Sequence, residues 1–239
     1  MNVAVYFTPL GLNAGDLAGR GVVVIDVLRA TTTVVAALAN GAKAVIPAAT
    51  SEEAVRLASN LEKDGVLLAG ERKVLKIEGF ALGNSPVEMT PAAVAGKTLV
   101  LTTTNGTPAL VAAQGGAPVL VGAPVNFKAL AARARAVLAE RGELIIVCAG
   151  RDKQFALEDA YAAGRLIKAI RKGLRKLALN DAALAALALT QQFATWVEAL
   201  EQSEAARQLT EADLAGDVAY SAQADRFGVV PVYADRRIT

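Results

Sequence analysis

The stretch that decides the fold is GVVVIDVLRATTTVVAALANGAKAVI, residues 21–46. It opens on Val22–Ile25, a β-branched run that is apolar throughout, as a strand covered on both faces is. A polar loop from Asp26 to Arg29 follows, then an Ala/Val-rich segment that predicts a helix over Thr32–Ala39. Asn40-Gly41 stops that helix, and Ala44–Ile46 reads as the next strand.

The alternation continues outward in both directions. Val3–Phe7, Val66–Ala69, Thr98–Leu101, Val119–Gly122 and Leu144–Cys148 read as further strands. Ser51–Lys63, Pro86–Ala93, Pro108–Ala113, Phe127–Arg141 and Leu157–Lys172 read as helices between them. Thr50 with Glu53 and Ser85 with Glu88 fit capping boxes, and Pro86 and Pro108 suit first helical positions. Strands alternating with helices predict an α/β fold: three layers, α/β/α, around a mostly parallel (mixed) sheet.

Residues 174–214 change character and predict helix after helix (Ala182–Leu189, Gln192–Gln202, Glu204–Leu209) with no strand between. Extra helices packed on the same core are the favoured reading, with a small cap or dimerisation element as the other. Phe193 and Trp196 suit either a core or a dimer contact. Val229–Tyr233 predicts a last strand, and Pro231 argues for the sheet edge. A single domain over residues 1–239 and a homo-oligomer, a dimer first, complete the organisation expected.

Composition narrows the chemistry. Lys plus Arg number 25 and Asp plus Glu 23, a formal charge of +2. That balance gives no global reason to bind nucleic acid or an anionic membrane. With His 0 and Cys 1, a Ser-His-Asp triad, His-ligated zinc, an internal disulfide and Cys-cluster metals are excluded. Catalysis is left to carboxylates, Arg or Lys, hydroxyls, backbone amides or an oxygen-bound cation such as Mg²⁺. The start, MNVAVYFTPLGLNAGDLAGR, lacks signal-peptide character. No apolar run reaches a membrane span, so a cytoplasmic protein is expected.

In open α/β sheets ligands bind beyond the carboxyl ends of strands, and four strand ends here are rich in polar groups. Asp26 to Thr33 follows the second strand, Gly70-Glu71-Arg72 the fourth, Thr102–Thr107 the fifth, and Ala149-Gly150-Arg151 with Glu158-Asp159 the seventh. A helix beginning at Thr31, Thr32 and Thr33 would turn its free amides and dipole toward an anion. Arg29 and Arg72 would fork onto phosphate or sulfonate oxygens. Asp26, Glu71, Glu158 and Asp159 beside such a site repel an anion unless a cation intervenes, which points to Mg²⁺. Gly79–Pro86 could close over a ligand. Each piece has a plainer reading: Asp26 as a helix cap, the threonines as β-formers, Glu71-Arg72 as a surface pair. Arg151, Lys73 and Lys76 read as solvated charges, and Cys148 as a small buried hydrophobe. Gly96-Lys97-Thr98 precedes a strand rather than a helix and is no P-loop. Gly19-Arg20-Gly21 lacks a third glycine and is no dinucleotide fingerprint.

Taken in order, IDVLRATTT (25–33), GER (70–72), GFALGNSP (79–86), TTTNGT (102–107), CAG (148–150) and FALED (155–159) resemble the 2-phosphosulfolactate phosphatase family. Asp217, Asp225 and Pro231 fit its tail. Ala156 and Ser221 depart from the pattern, standing where a hydroxyl and a cysteine are expected. The resemblance implies a Mg²⁺-dependent hydrolase that converts 2-phospho-3-sulfolactate to 3-sulfolactate and phosphate, a step toward coenzyme M. On that basis Asp26, Glu71 and Asp159 are expected to be the catalytic carboxylates and to hold Mg²⁺. Arg29, Thr31–Thr33 and Arg72 would grip anionic groups. Thr103, Thr104 and Asn105 would hold phosphoryl or sulfonate oxygens, and Asn84 and Ser85 the rest of the substrate. Asp26 is the first choice for general base, Glu71 the second. The rival reading is a non-catalytic binder of a small polyanion.

Overall fold

The computed structural model describes residues 1–61 and 65–239. Strand β2 (Gly21–Ile25) is buried at every position. Val23 and Ile25 enter one hydrophobic cluster and Val22 and Val24 another, so the period-2 alternation of a strand serves two cores. The other strands are β1 (Asn2–Tyr6), β3 (Ala44–Ala48), β4 (Val66–Arg72), β5 (Leu75–Lys76), β6 (Thr98–Thr102), β7 (Val119–Gly122), β8 (Glu143–Cys148), β9 (Ala178–Leu179), β10 (Val232–Ala234) and β11 (Arg237–Ile238). The helices are α1 (Ala14–Leu17), α2 (Ala30–Ala39), α3 (Ser51–Ser59), α4 (Pro91–Val94), α5 (Gly106–Ala112), α6 (Phe127–Arg141), α7 (Leu157–Ile170), α8 (Asp181–Gln192), α9 (Trp196–Glu201), α10 (Glu204–Glu211) and α11 (Ala215–Ser221). No helix among the described residues is long and apolar enough to cross a membrane.

The strands form one mixed sheet in the order β5-β4-β6-β3-β11-β10-β7-β2-β8-β1-β9. Two parallel blocks are visible in it: β4, β6 and β3, and β7, β2, β8, β1 and β9. The C-terminal hairpin β10–β11 lies between them and pairs antiparallel with both. Three successive antiparallel steps separate β3 from β7, so the two blocks run in opposite directions. Helices α6, α7 and α8 pack on one face, where Leu130, Leu166 and Ala186 join Ile25 and Ile146. Helices α2 and α5 pack on the other, where Val34 and Leu110 join Val24 and Leu101. This is the α/β architecture with helices on both sides that the alternating pattern predicts.

Several local expectations are corrected. The tail strand is interior, not an edge. Pro231 is tolerated because its carbonyl accepts from Val121 N and its missing N–H is not needed there. The region 174–214 is not purely helical, since Ala178–Leu179 pairs with β1. The helix expected over Pro86–Ala93 is a turn followed by α4. Ser85 cannot cap it, because its hydroxyl bonds Asp217 instead, and the Glu88 carboxylate accepts from Gly83 N. Thr90 and Pro91 supply the cap and first position of α4. Pro108 is the third residue of α5, not the first. The predicted end of the helix from Ser51 reaches Lys63, which lies outside the described residues. Trp196 is buried beside Tyr161 and Phe127, in edge-to-face contacts near 5.2 Å, so it belongs to the core.

Candidate active site

Asp26 leaves the end of β2 and immediately becomes the cap of α2. Its Oδ1 accepts from Ala30 N at 3.1 Å, and its backbone carbonyl accepts from Thr31 N. The amides expected to be free at this helix start are therefore partly engaged. The threonines serve the same junction. Thr31 Oγ1 donates to Asp26 O and accepts from Asp26 N. Thr32 Oγ1 donates to Val27 O and Thr33 Oγ1 to Asn84 O. All three are buried, and none lines the pocket; they fix the backbone that presents Asp26.

The loops of the two blocks interlock around a cavity of about 280 Å³. Asp26, Arg29, Glu71, Asn84, Thr103, Thr104 and Asn105, all expected from the sequence, line it together. They do not share the carboxyl edge of one parallel sheet, as their positions predict. β2 and β4 belong to opposed blocks, and the site is where those blocks meet. Gly106 makes that meeting possible: a methyl group there would collide with Ala30 Cβ and Asp26 Oδ2.

Glu71 is held on both oxygens. Oε1 accepts from Thr104 N at 2.6 Å and Oε2 from Val74 N at 2.9 Å. Arg29 Nη2 donates to Val74 O at 2.6 Å. These contacts pin a tight β4–β5 turn whose central residues, Lys73 and Val74, have φ of 49° and 65°, a conformation costly for a β-branched side chain. Thr103 and Thr107 cap each other reciprocally, each amide donating to the other's hydroxyl at 2.9 Å. Asn105 Oδ1 accepts from Asp152 N, which ties this loop to the one after β8.

Besides the three threonines, three more expected residues lie outside the pocket. Arg72 donates to Glu71 O and Thr102 Oγ1. Ser85 is buried against Asp217. Asp159 sits behind the pocket, accepting from Val27 N at 2.8 Å and Gly150 N at 3.1 Å. Four residues were not expected in these places. Lys73 and Arg151, read as solvated charges, line the pocket; their position directly after strand ends was the available signal. Gln208 of α10 also lines it, and Asp217 of α11 pairs with Arg29. Helical periodicity gave no hint of Gln208, and the sequence signal for Asp217 was its fit to the family tail. The region 174–214 thus packs on the core and also contributes Gln208 to the site.

Burial raises the carboxyl of Asp26 to about 7, aided by the charges of Glu158 and Glu71 and opposed by the Ala30 amide and by Arg29. Burial, with the charges of Asp26 and Glu158, pushes Asp159 well above the ordinary range, and burial raises Glu158. Burial likewise raises the Cys148 thiol, an inert packing group. Clustered carboxylates that resist ionisation are what a cation would relieve. Among the described residues no group of three acidic or thiol side chains gathers to hold a metal. Asp26 and Glu71 are the buried carboxylates that line the pocket, whereas Asp152, which also lines it, is exposed beside Arg151. Asp26 Oδ2 has no hydrogen-bond partner among the described residues. Two carboxylates with water and a phosphoryl group are a donor set Mg²⁺ accepts. Asp159 does not fit as a third, because it is buried behind the pocket and does not line it. A roomier groove of about 490 Å³ between α9, α10 and α11 is mainly apolar and lacks convergent acid–base groups.

An α/β fold with a poised carboxylate among Arg29, Lys73 and Arg151 defines an enzyme acting on a small anion. The chain matches the family model described as 2-phosphosulpholactate phosphatase over residues 6–236. It is 38% identical over 232 residues (97% of this chain, 95% of the relative) to a probable 2-phosphosulfolactate phosphatase of Caldanaerobacter subterraneus. It is 44% identical over 209 residues (87% and 85%) to one of Deinococcus radiodurans. The chain therefore belongs to the 2-phosphosulfolactate phosphatase family and is a phosphoric monoester hydrolase.

Proposed function

We propose that the chain hydrolyses 2-phospho-3-sulfolactate, or a closely related phosphorylated small acid, to the hydroxy acid and phosphate. The observation that carries this is Asp26, a buried carboxylate whose pKa is raised to about 7 at a pocket that also presents three cationic side chains. A general base works best when its pKa lies near the working pH. Asp26 Oδ2 takes a proton from water as the water oxygen attacks phosphorus. The bond from phosphorus to the ester oxygen breaks, the departing alkoxide takes a proton from a solvent water, and Asp26 returns its proton to solvent. Arg29, Lys73 and Arg151 balance the charge of the phosphoryl group and of the other acidic substituents. A pocket of about 280 Å³ suits a three-carbon acid rather than a nucleotide. Glu71 fixes the turn that carries Lys73, and we assign Mg²⁺ to Glu71 directly and to Asp26 through a water, which leaves Asp26 Oδ2 free to act as the base. Bound there, the ion would neutralise phosphoryl oxygens and acidify a water.

The test is release of inorganic phosphate from 2-phospho-3-sulfolactate with Mg²⁺ supplied and then chelated. Turnover that stops on chelation and returns with Mg²⁺ supports the reading. Absence of turnover, with thermal stabilisation by the same acid independent of metal, would make the chain a polyanion binder instead.

A further inference from the structure

Arg29 raises a geometric question. Its guanidinium lies in a pocket with two carboxylates, Asp26 and Glu71, yet makes an ion pair with neither among the described residues. It pairs instead with Asp217, 188 positions later in the chain, Nη1 to Oδ2 at 2.7 Å. Both side chains are almost wholly buried, at 4% and 3% exposure. The other oxygen of Asp217 accepts from Ser85 Oγ at 2.5 Å. The second guanidinium nitrogen donates to Val74 O. Arg29 is thus clamped from two directions, by α11 and by the β4–β5 turn, while its remaining N–H groups are left for a ligand.

We propose that Asp217 is a positioning residue: it holds the Arg29 guanidinium away from Asp26 and Glu71 and directs its free N–H groups at the substrate phosphoryl group. Without that partner a buried guanidinium turns to the nearest carboxylate, which would neutralise the base and withdraw the anion grip together. Ser85 fixes the rotamer of Asp217 and so links the 79–86 loop to the same device. The proposal rests on the phosphatase reading of this pocket.

The experiment is a double-mutant cycle on affinity for inorganic phosphate, measured by calorimetry on wild type, Asp217→Asn, Arg29→Met and the double variant. Asp217→Asn is expected to weaken phosphate about tenfold and to raise KM and lower kcat together. In the Arg29→Met background the same change should have no more than about a twofold effect, because Asp217 acts through Arg29. Losses that simply multiply, or an Asp217→Asn variant with wild-type affinity, would overturn the proposal. If Asp217→Asn does not fold, Ser85→Ala serves in its place. It should weaken phosphate about threefold, and unchanged affinity would contradict the clamp. A wild-type protein that neither binds phosphate nor releases it would sink the phosphatase reading itself. Wild-type binding with an indifferent Asp217 would sink this inference alone.

Discussion

Asp26 holds a proton to about pH 7 because folding removes it from water and sets Glu158 and Glu71 near it. Unfolded, it titrates near 3.8. Between those values the native state carries a proton that the unfolded state has lost, so rising pH favours unfolding. The cost above pH 7 is on the order of 4 kcal/mol. Asp26→Asn should therefore flatten the fall in stability between pH 4 and 7 in chelator-treated protein, as read by denaturant unfolding. An unchanged slope would mean that Asp26 is not the raised group. Ser221 offers a second test at this scale. Its hydroxyl is fully buried with no partner among the described residues, at a place where the family resemblance leads a cysteine to be expected. A thiol tolerates an apolar site that a hydroxyl does not. Ser221→Cys is expected to raise stability by about 1 kcal/mol, and a lower melting temperature would contradict that account.

At the scale of elements, α2 and α5 begin against each other, and Gly106 is the contact. Gly106→Ala would force a methyl group onto Ala30 and Asp26 Oδ2. The expected result is a loss of about 1–3 kcal/mol together with a large fall in kcat; wild-type kinetics would show that the junction yields. The elements themselves were legible where pattern and packing agree: β7 and α6 fall where the sequence places them. Legibility failed where a partner claimed a side chain that looked free. Ser85 looks like a helix cap, but Asp217 claims its hydroxyl. Thr31–Thr33 look like ligand donors, but nearby carbonyls claim them. Local spacing carries no record of partners 132 residues away.

For the whole molecule, the convergence of Asp26, Glu71 and Asn105 on one pocket could be anticipated from their places after strand ends. The route by which they converge could not. It depends on β10–β11, a hairpin that reads as an edge and instead joins two opposed blocks. Deleting residues 229–239 would expose the edges of β3 and β7 and should abolish the single sharp thermal transition. A truncated chain that melts like the full one would refute that role. What the account needs above all is a base at Asp26 acting on a bound phosphate ester. The direct measurement is steady-state phosphate release from 2-phospho-3-sulfolactate by wild type and Asp26→Asn of equal fold. The prediction is a kcat lower by roughly two to four orders of magnitude in the variant; turnover at the wild-type rate would contradict it.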